Sequence, residues 1–72
     1  MLNSFIELVM AMKMQTKIKL WTVENKVFWI IPNKIVWEGG KDCWIVSGMQ
    51  LEQSPCGPMN NVGIIDICVK AI

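Results

Sequence analysis

Residues 17–31 read KIKLWTVENKVFWII and predict two β-strands joined by a hairpin. Apolar and polar side chains alternate over residues 17–23, which is the two-residue period of a strand. Residues 24–26 have the right length for a hairpin connection. Residues 27–31 form a continuous β-branched and aromatic run, as expected for a strand that is covered on both faces.

Residues 32–69 predict the other strands of the domain, separated by proline and glycine. Pro32-Asn33 is expected to end the second strand, because proline has no N–H to donate to a sheet. Residues 39–42 predict a turn and residues 54–63 predict a longer loop. The further strands are expected at residues 34–38, 43–47, 49–53 (the weakest) and 64–69. Five to six short strands indicate a mainly β fold, either a small antiparallel barrel or a bent sheet.

Residues 1–14 predict a short helix in front of a β domain of residues 16–72, within one domain of 72 residues. Ser4 and Glu7 are spaced as a capping box, and good helix formers follow them. The helix is mostly apolar and too short to span a bilayer, so we expect it to lie on the sheet or on another subunit. Because the strand pattern is complete without it, we expect an interaction element, or an extension, that the sheet does not need for folding.

The composition is more apolar than a chain of this length can easily bury. The residues A, V, I, L, M, F, W, Y and C make up 53% of the chain, whereas ordinary domains reach about 45–50% even with glycine included. A domain this small hides only roughly 60% of the surface of its unfolded chain. Apolar side chains left at a surface are typical of interfaces, so we expect an oligomer or a partner protein.

Several residue types are missing, and their absence narrows the classes of function. The sequence has no histidine, arginine or tyrosine, and its net charge is +1. Without histidine, Ser-His-Asp and Cys-His catalysis and imidazole metal sites are excluded. The low positive charge weakens the case for recognition of a phosphate backbone. We therefore expect no enzymatic activity, no cofactor and no metal site.

Cys43, Cys56 and Cys68 are spaced too far apart to indicate a zinc or iron–sulfur site within one chain. An odd number of cysteines is not typical of a secreted disulfide framework, so we expect reduced thiols and a cytoplasmic protein. The sequence leaves open a single bridge, either Cys56–Cys68 or Cys43–Cys68. Cys56 lies in a proline- and glycine-rich turn without a nearby base or cation, so we expect it to be unreactive.

The predicted hairpin brings two tryptophans beside two lysines. If Val23 pairs with Val27, Trp21 and Trp29 form a direct cross-strand pair. Their face of the sheet then carries Lys17, Lys19, Trp21, Val27, Trp29 and Ile31. Aromatic rings with flanking cations are typical of surfaces that stack single-stranded nucleic acid. The alternative, favoured by the low net charge, is that the N-terminal helix or a partner subunit covers these tryptophans.

The leading hypothesis is a non-catalytic interaction protein that acts as a homo-oligomer or covers the surface of a partner. Small inhibitors and sequestering proteins of phages and mobile elements have this character. The second hypothesis is a barrel-type protein that binds single-stranded nucleic acid through the two hairpin tryptophans and their lysines. The residues expected at the interface or ligand site are Trp21, Trp29, Lys17, Lys19, Phe5, Leu8 and Met12.

Overall fold

A helix followed by four strands makes up the computed structural model, which describes residues 2–72. The bounds are Phe5–Met14 for α1, Ile18–Trp21 for β1, Val27–Glu38 for β2, Cys43–Gln53 for β3 and Met59–Val69 for β4. The strands form one open antiparallel sheet in which each strand pairs with the next along the chain. The predicted mainly β fold is therefore confirmed, whereas the predicted number of five to six strands is wrong.

The helix α1 has a defined hydrogen-bonding pattern at each end. The Ser4 side chain accepts a hydrogen bond from the Glu7 N–H at 3.3 Å, as the capping box predicts. At the other end Gln15 is left-handed, and the Thr16 N–H donates to the Ala11 carbonyl at 3.0 Å. This ending satisfies carbonyls that have no partner within the helix. Met1, part of the predicted helix, lies outside the described residues.

The strands β2 and β3 are long because Pro32 and Gly48 bend them instead of ending them. The two residues lie opposite each other, and one residue of β2 is then skipped in the register. A Cβ atom built on Gly48 would lie 2.1 Å from the carbonyl oxygen of Ile31, so a larger residue does not fit. The bulge accommodates the missing N–H of proline. The strands predicted at residues 34–38 and 49–53 are therefore continuations of β2 and β3.

The strand β4 begins inside the predicted loop of residues 54–63. A second bulge lies in this strand, where the register skips Val62. The neighbouring Gly63 has φ 153°, a backbone conformation that favours glycine. Glycine in this stretch therefore marks a bulge within a strand, and the loop is shorter than predicted.

The sheet stays open because β1 is too short to pair along β4. β1 has four residues and β4 has eleven. The two edges meet at one end, where Thr22 and Val69 form a bridge and the Val23 N–H donates to the Cys68 carbonyl at 2.9 Å. The alternative of a closed barrel is therefore wrong.

The hairpin between β1 and β2 has the predicted faces with a different register. Trp21 pairs with Val27, so the strands are offset by two residues from a Val23–Val27 pairing. Because side chains alternate between faces with a period of two, this offset leaves each residue on its predicted face. The connection contains Asn25 at φ 64°, a left-handed conformation that asparagine tolerates better than most residues.

The hydrophobic core lies between α1 and one face of the sheet. Leu8 of α1 has no exposed surface and packs against Leu20 and Ile30 of the hairpin. The core cluster of buried residues is Leu8, Leu20, Ile30, Val46, Ile67 and Val69. Every strand contributes to this cluster, and α1 packs mainly against β2.

Asn3 ties the N-terminal segment into the sheet. Its side-chain amide donates to the carbonyls of Trp21 and Lys70 at 2.9 and 3.0 Å, and its Oδ1 accepts from the Trp21 N–H at 2.9 Å. Asn3 is buried, so these bonds replace hydrogen bonds to water. Together with the burial of Leu8, they join the N-terminal segment to the sheet, and the expectation that the sheet folds without residues 1–13 stays a prediction.

A disulfide joins Cys43 at the start of β3 to Cys68 near the end of β4. The expectation of reduced thiols is therefore wrong for this pair, which is one of the two bridges that the sequence leaves open. Cys56 is a free and exposed cysteine. Disulfides persist mainly in oxidising compartments. The bridge thus removes the basis on which a cytoplasmic protein was expected.

Candidate interaction surfaces

The face of the sheet opposite α1 carries the hairpin tryptophans, and we call it the tryptophan face. Side chains of residues that pair across strands lie on the same face, so the register identifies its members. The tryptophan face consists of Lys17, Lys19, Trp21, Val27, Trp29, Ile31, Met49, Leu51 and Ile64. The apolar run of β2 thus supplies Phe28 and Ile30 to the helix side and Trp29 and Ile31 to the tryptophan face. α1 packs on the first side, and only its C-terminal end, at Met12, borders the tryptophan face, next to Ile31 and Met49.

Each hairpin tryptophan has a lysine ammonium above its ring. The Lys17 Nζ lies 6.0 Å from the ring centroid of Trp29, and the Lys19 Nζ lies 5.7 Å from that of Trp21. Such cation–π contacts contribute about 0.5–1 kcal/mol at exposed sites. The predicted direct pairing of the tryptophans is wrong, because the observed register puts Lys19 opposite Trp29 and Val27 opposite Trp21. The four predicted residues nevertheless share one surface.

A second aromatic group lies at the far end of the sheet, and it is absent from the predicted site residues. Trp37 and Trp44 pair across β2 and β3, with ring centroids 5.1 Å apart in an edge-to-face arrangement. Phe5 of α1 lies 5.0 Å from the Trp44 ring, so this predicted interface residue packs within the chain. The spacing of the two tryptophans around the turn at residues 39–42 is the sequence signal for their pairing.

The exposed side of α1 carries a row of aliphatic side chains that we call the helix ridge. The ridge consists of Leu2, Ile6, Met10, Met14 and Ile72. Ile6, Met10 and Met14 are 71%, 53% and 65% exposed. Leu2 and Ile72 extend the row beside the start of the helix, where the Phe5 N–H donates to the Ile72 carbonyl at 2.8 Å. The spacing of four residues from position 6 to position 14 is the signal in the sequence that indicates the helical part of this row.

The helix residues predicted for an interface face other directions. Leu8 is fully buried in the core of its own chain, so it is not accessible to a partner in this fold. Met12 is half-buried at the wall of a cavity of about 420 Å³ that Ile31, Pro32 and Met49 also line. The exposed apolar surface of α1 is therefore the helix ridge, whereas Leu8 and Met12 pack toward the sheet.

A cleft of about 280 Å³ separates the tip of the hairpin from β4. Its charged residues are Glu24, Lys26 and Asp66. The Lys26 Nζ lies 3.6 Å from the Glu24 Oε2, and both side chains are largely exposed, so water screens this ion pair. Among residues 2–72 no three His, Cys, Asp or Glu side chains come together as a metal site would need.

Comparison of the chain with protein-family models, with curated proteins and with solved structures found no match. Within residues 2–72, no helix has the length and apolar character needed to cross a bilayer. The functional interpretation therefore depends on the tryptophan face and the helix ridge.

Proposed function

We propose that this chain is a non-catalytic interaction protein that works by associating with further copies of itself. The observation that carries the proposal is the amount of apolar surface left on the folded chain. Eleven large hydrophobic side chains among residues 2–72 are more than a third exposed. A monomeric protein rarely exposes contiguous apolar patches of this kind, because their contact with water is unfavourable.

Seven of the eleven exposed apolar side chains lie on two surfaces, and this grouping supports an interface. Five of them form the helix ridge, and Val27 and Ile64 lie on the tryptophan face beside half-buried tryptophan rings. Methionine and tryptophan are enriched in the centres of protein interfaces, where charged residues are depleted. Inhibitors and sequestering proteins cover a partner with surfaces of the same kind.

A second candidate function is binding of single-stranded nucleic acid on the tryptophan face. The observation that favours it is the position of Lys17 and Lys19 above the rings of Trp29 and Trp21. A base could stack on such a ring while the lysine neutralises a neighbouring phosphate. The net charge of +1 makes this candidate the weaker one, since nucleic-acid binding draws most of its affinity from basic surfaces.

Salt dependence separates the two candidates. Sedimentation velocity at about 50 mM and about 500 mM salt should show the same oligomer, because high salt does not weaken apolar contacts. In parallel, a fluorescent oligothymidine is titrated with the wild type and with a Lys17→Gln/Lys19→Gln variant. A monomer at both salt concentrations, combined with tight oligothymidine binding that high salt and the double variant abolish, would replace the first candidate with the second.

A further inference from the structure

The helix ridge has the geometry of a helix-packing ridge. Ile6, Met10 and Met14 are successive i±4 neighbours on α1. Rows of this type fit into the grooves between equivalent rows of a second helix, at a crossing angle of about −50°. Glu7 and Lys13 are exposed residues of α1 outside the row, so the row itself carries no charge.

We propose that the helix ridge binds the helix ridge of a second copy of this chain, with Met10 at the two-fold axis. The inference rests on the proposed self-association and names the surface and the partner. In this packing class both helices use the same type of ridge, so an identical helix provides a fitting partner. A two-fold interface uses the same patch on both subunits, which fits a row that is apolar along its length.

The size of the ridge is consistent with a dimer interface. More than half of each of the five side chains is accessible, so together they offer roughly 500 Å² of apolar area. Each partner of a standard interface buries about 800 Å², so the ridge would supply the apolar centre of such an interface and its surroundings would supply the rest. The flanking surface at the start of the helix, around Asn3 and Ser4, supplies polar contacts at the rim. A lipid surface is a poorer partner, because helices that lie on membranes carry several lysines or arginines and α1 carries Lys13 alone.

Cysteine cross-linking tests the proposed position of Met10. A Met10→Cys/Cys56→Ser variant has its free thiol on the ridge, since Cys43 and Cys68 are bridged and Cys56 is removed. Under mild oxidation at micromolar concentration, we expect most of it to form a covalent dimer. The matched control is Val36→Cys/Cys56→Ser, whose thiol lies at an exposed position on β2 and should stay largely monomeric in a denaturing gel.

The second measurement is the dimer dissociation constant of a variant that has a charge at the two-fold axis. Met10→Glu should raise the dimer dissociation constant by about a hundredfold, because two like charges would face each other in an apolar contact. Its circular dichroism should match the wild type, since Met10 is 53% exposed. If the wild type is a monomer, the proposed function falls. An oligomeric wild type that neither cross-links through position 10 nor dissociates with Met10→Glu keeps the proposed function and overturns this interface.

Discussion

Gly48 shows how a single residue changes the number of strands. The sequence around it predicts a break, because glycine and proline usually punctuate elements. In the fold the glycine of β3 faces the proline of β2, so each makes room for the other and both strands continue. The local sequence could not show that both strands continue, because Gly48 and Pro32 come together only when β2 and β3 pair.

Gly48→Ala should therefore be strongly destabilising. The added Cβ would meet the Ile31 backbone at 2.1 Å, and a backbone cannot move aside as a flexible side chain can. We expect a loss of about 3 kcal/mol or more in the free energy of unfolding, measured by urea denaturation. The control is Gly57→Ala, whose nearest neighbour would be the Ser54 hydroxyl at 3.9 Å. Equal stability of the two variants would contradict the close approach of β2 and β3.

Trp29→Ala should cost more stability than Trp21→Ala. Trp29 lies in an inner strand between Lys19 and Leu51, whereas Trp21 lies in the edge strand β1. We expect a loss of about 3 kcal/mol for Trp29 and about 1 kcal/mol for Trp21. Denaturant midpoints in the opposite order would mean that the edge strand contributes more packing than the inner one.

The helix and the first hairpin could be predicted because their signals are local. Ser4 and Glu7 mark the start of α1, and the alternation of residues 17–23 marks the faces of β1. Which side of α1 docks is decided by the sheet that it meets, and a mostly apolar helix offers several choices. For this reason the sequence predicts Leu8 at an interface, whereas the fold buries Leu8 in the core and leaves Met10 exposed.

Leu8→Ala tests whether α1 is part of the folded core. It should lower the free energy of unfolding by about 3 kcal/mol, because a fully buried side chain leaves a cavity when it is shortened. The control is Lys13→Ala, at an exposed position of the same helix outside the helix ridge, which should change the free energy of unfolding by about 0.5 kcal/mol or less. If Leu8→Ala were as neutral as Lys13→Ala, the helix would be dispensable for folding.

The Cys43–Cys68 bridge links the start of β3 to the end of its neighbour β4. Its cysteines are 25 residues apart, and closing a loop of this size stabilises a fold by about 3 kcal/mol. A reductant should therefore shift the urea midpoint of the wild type and of Cys56→Ser by the same amount. A Cys43→Ser/Cys68→Ser variant should not respond. An unchanged wild-type midpoint in reductant would show that the bridge contributes nothing to stability.

At the scale of the whole molecule, the composition predicted more than any motif did. An apolar excess in 72 residues indicates surface that folding cannot hide, and the folded chain has eleven large hydrophobic side chains exposed. The composition could not tell where this surface lies, because the location depends on how α1 packs and on which face of the sheet it covers. The tryptophan face could be predicted from the two-residue period. The four-residue spacing of Ile6, Met10 and Met14 is also visible in the sequence, but only the docking of α1 decides that this side of the helix stays exposed.

The central claim is that the folded chain does not stay alone, and its mass in solution tests this most directly. Light scattering coupled to size exclusion is measured over a dilution series from about 100 to about 1 µM, without any partner. The account predicts a species of at least twice the 8.2 kDa chain mass that dissociates only toward the lowest concentrations. A single 8.2 kDa species over the whole series would contradict it.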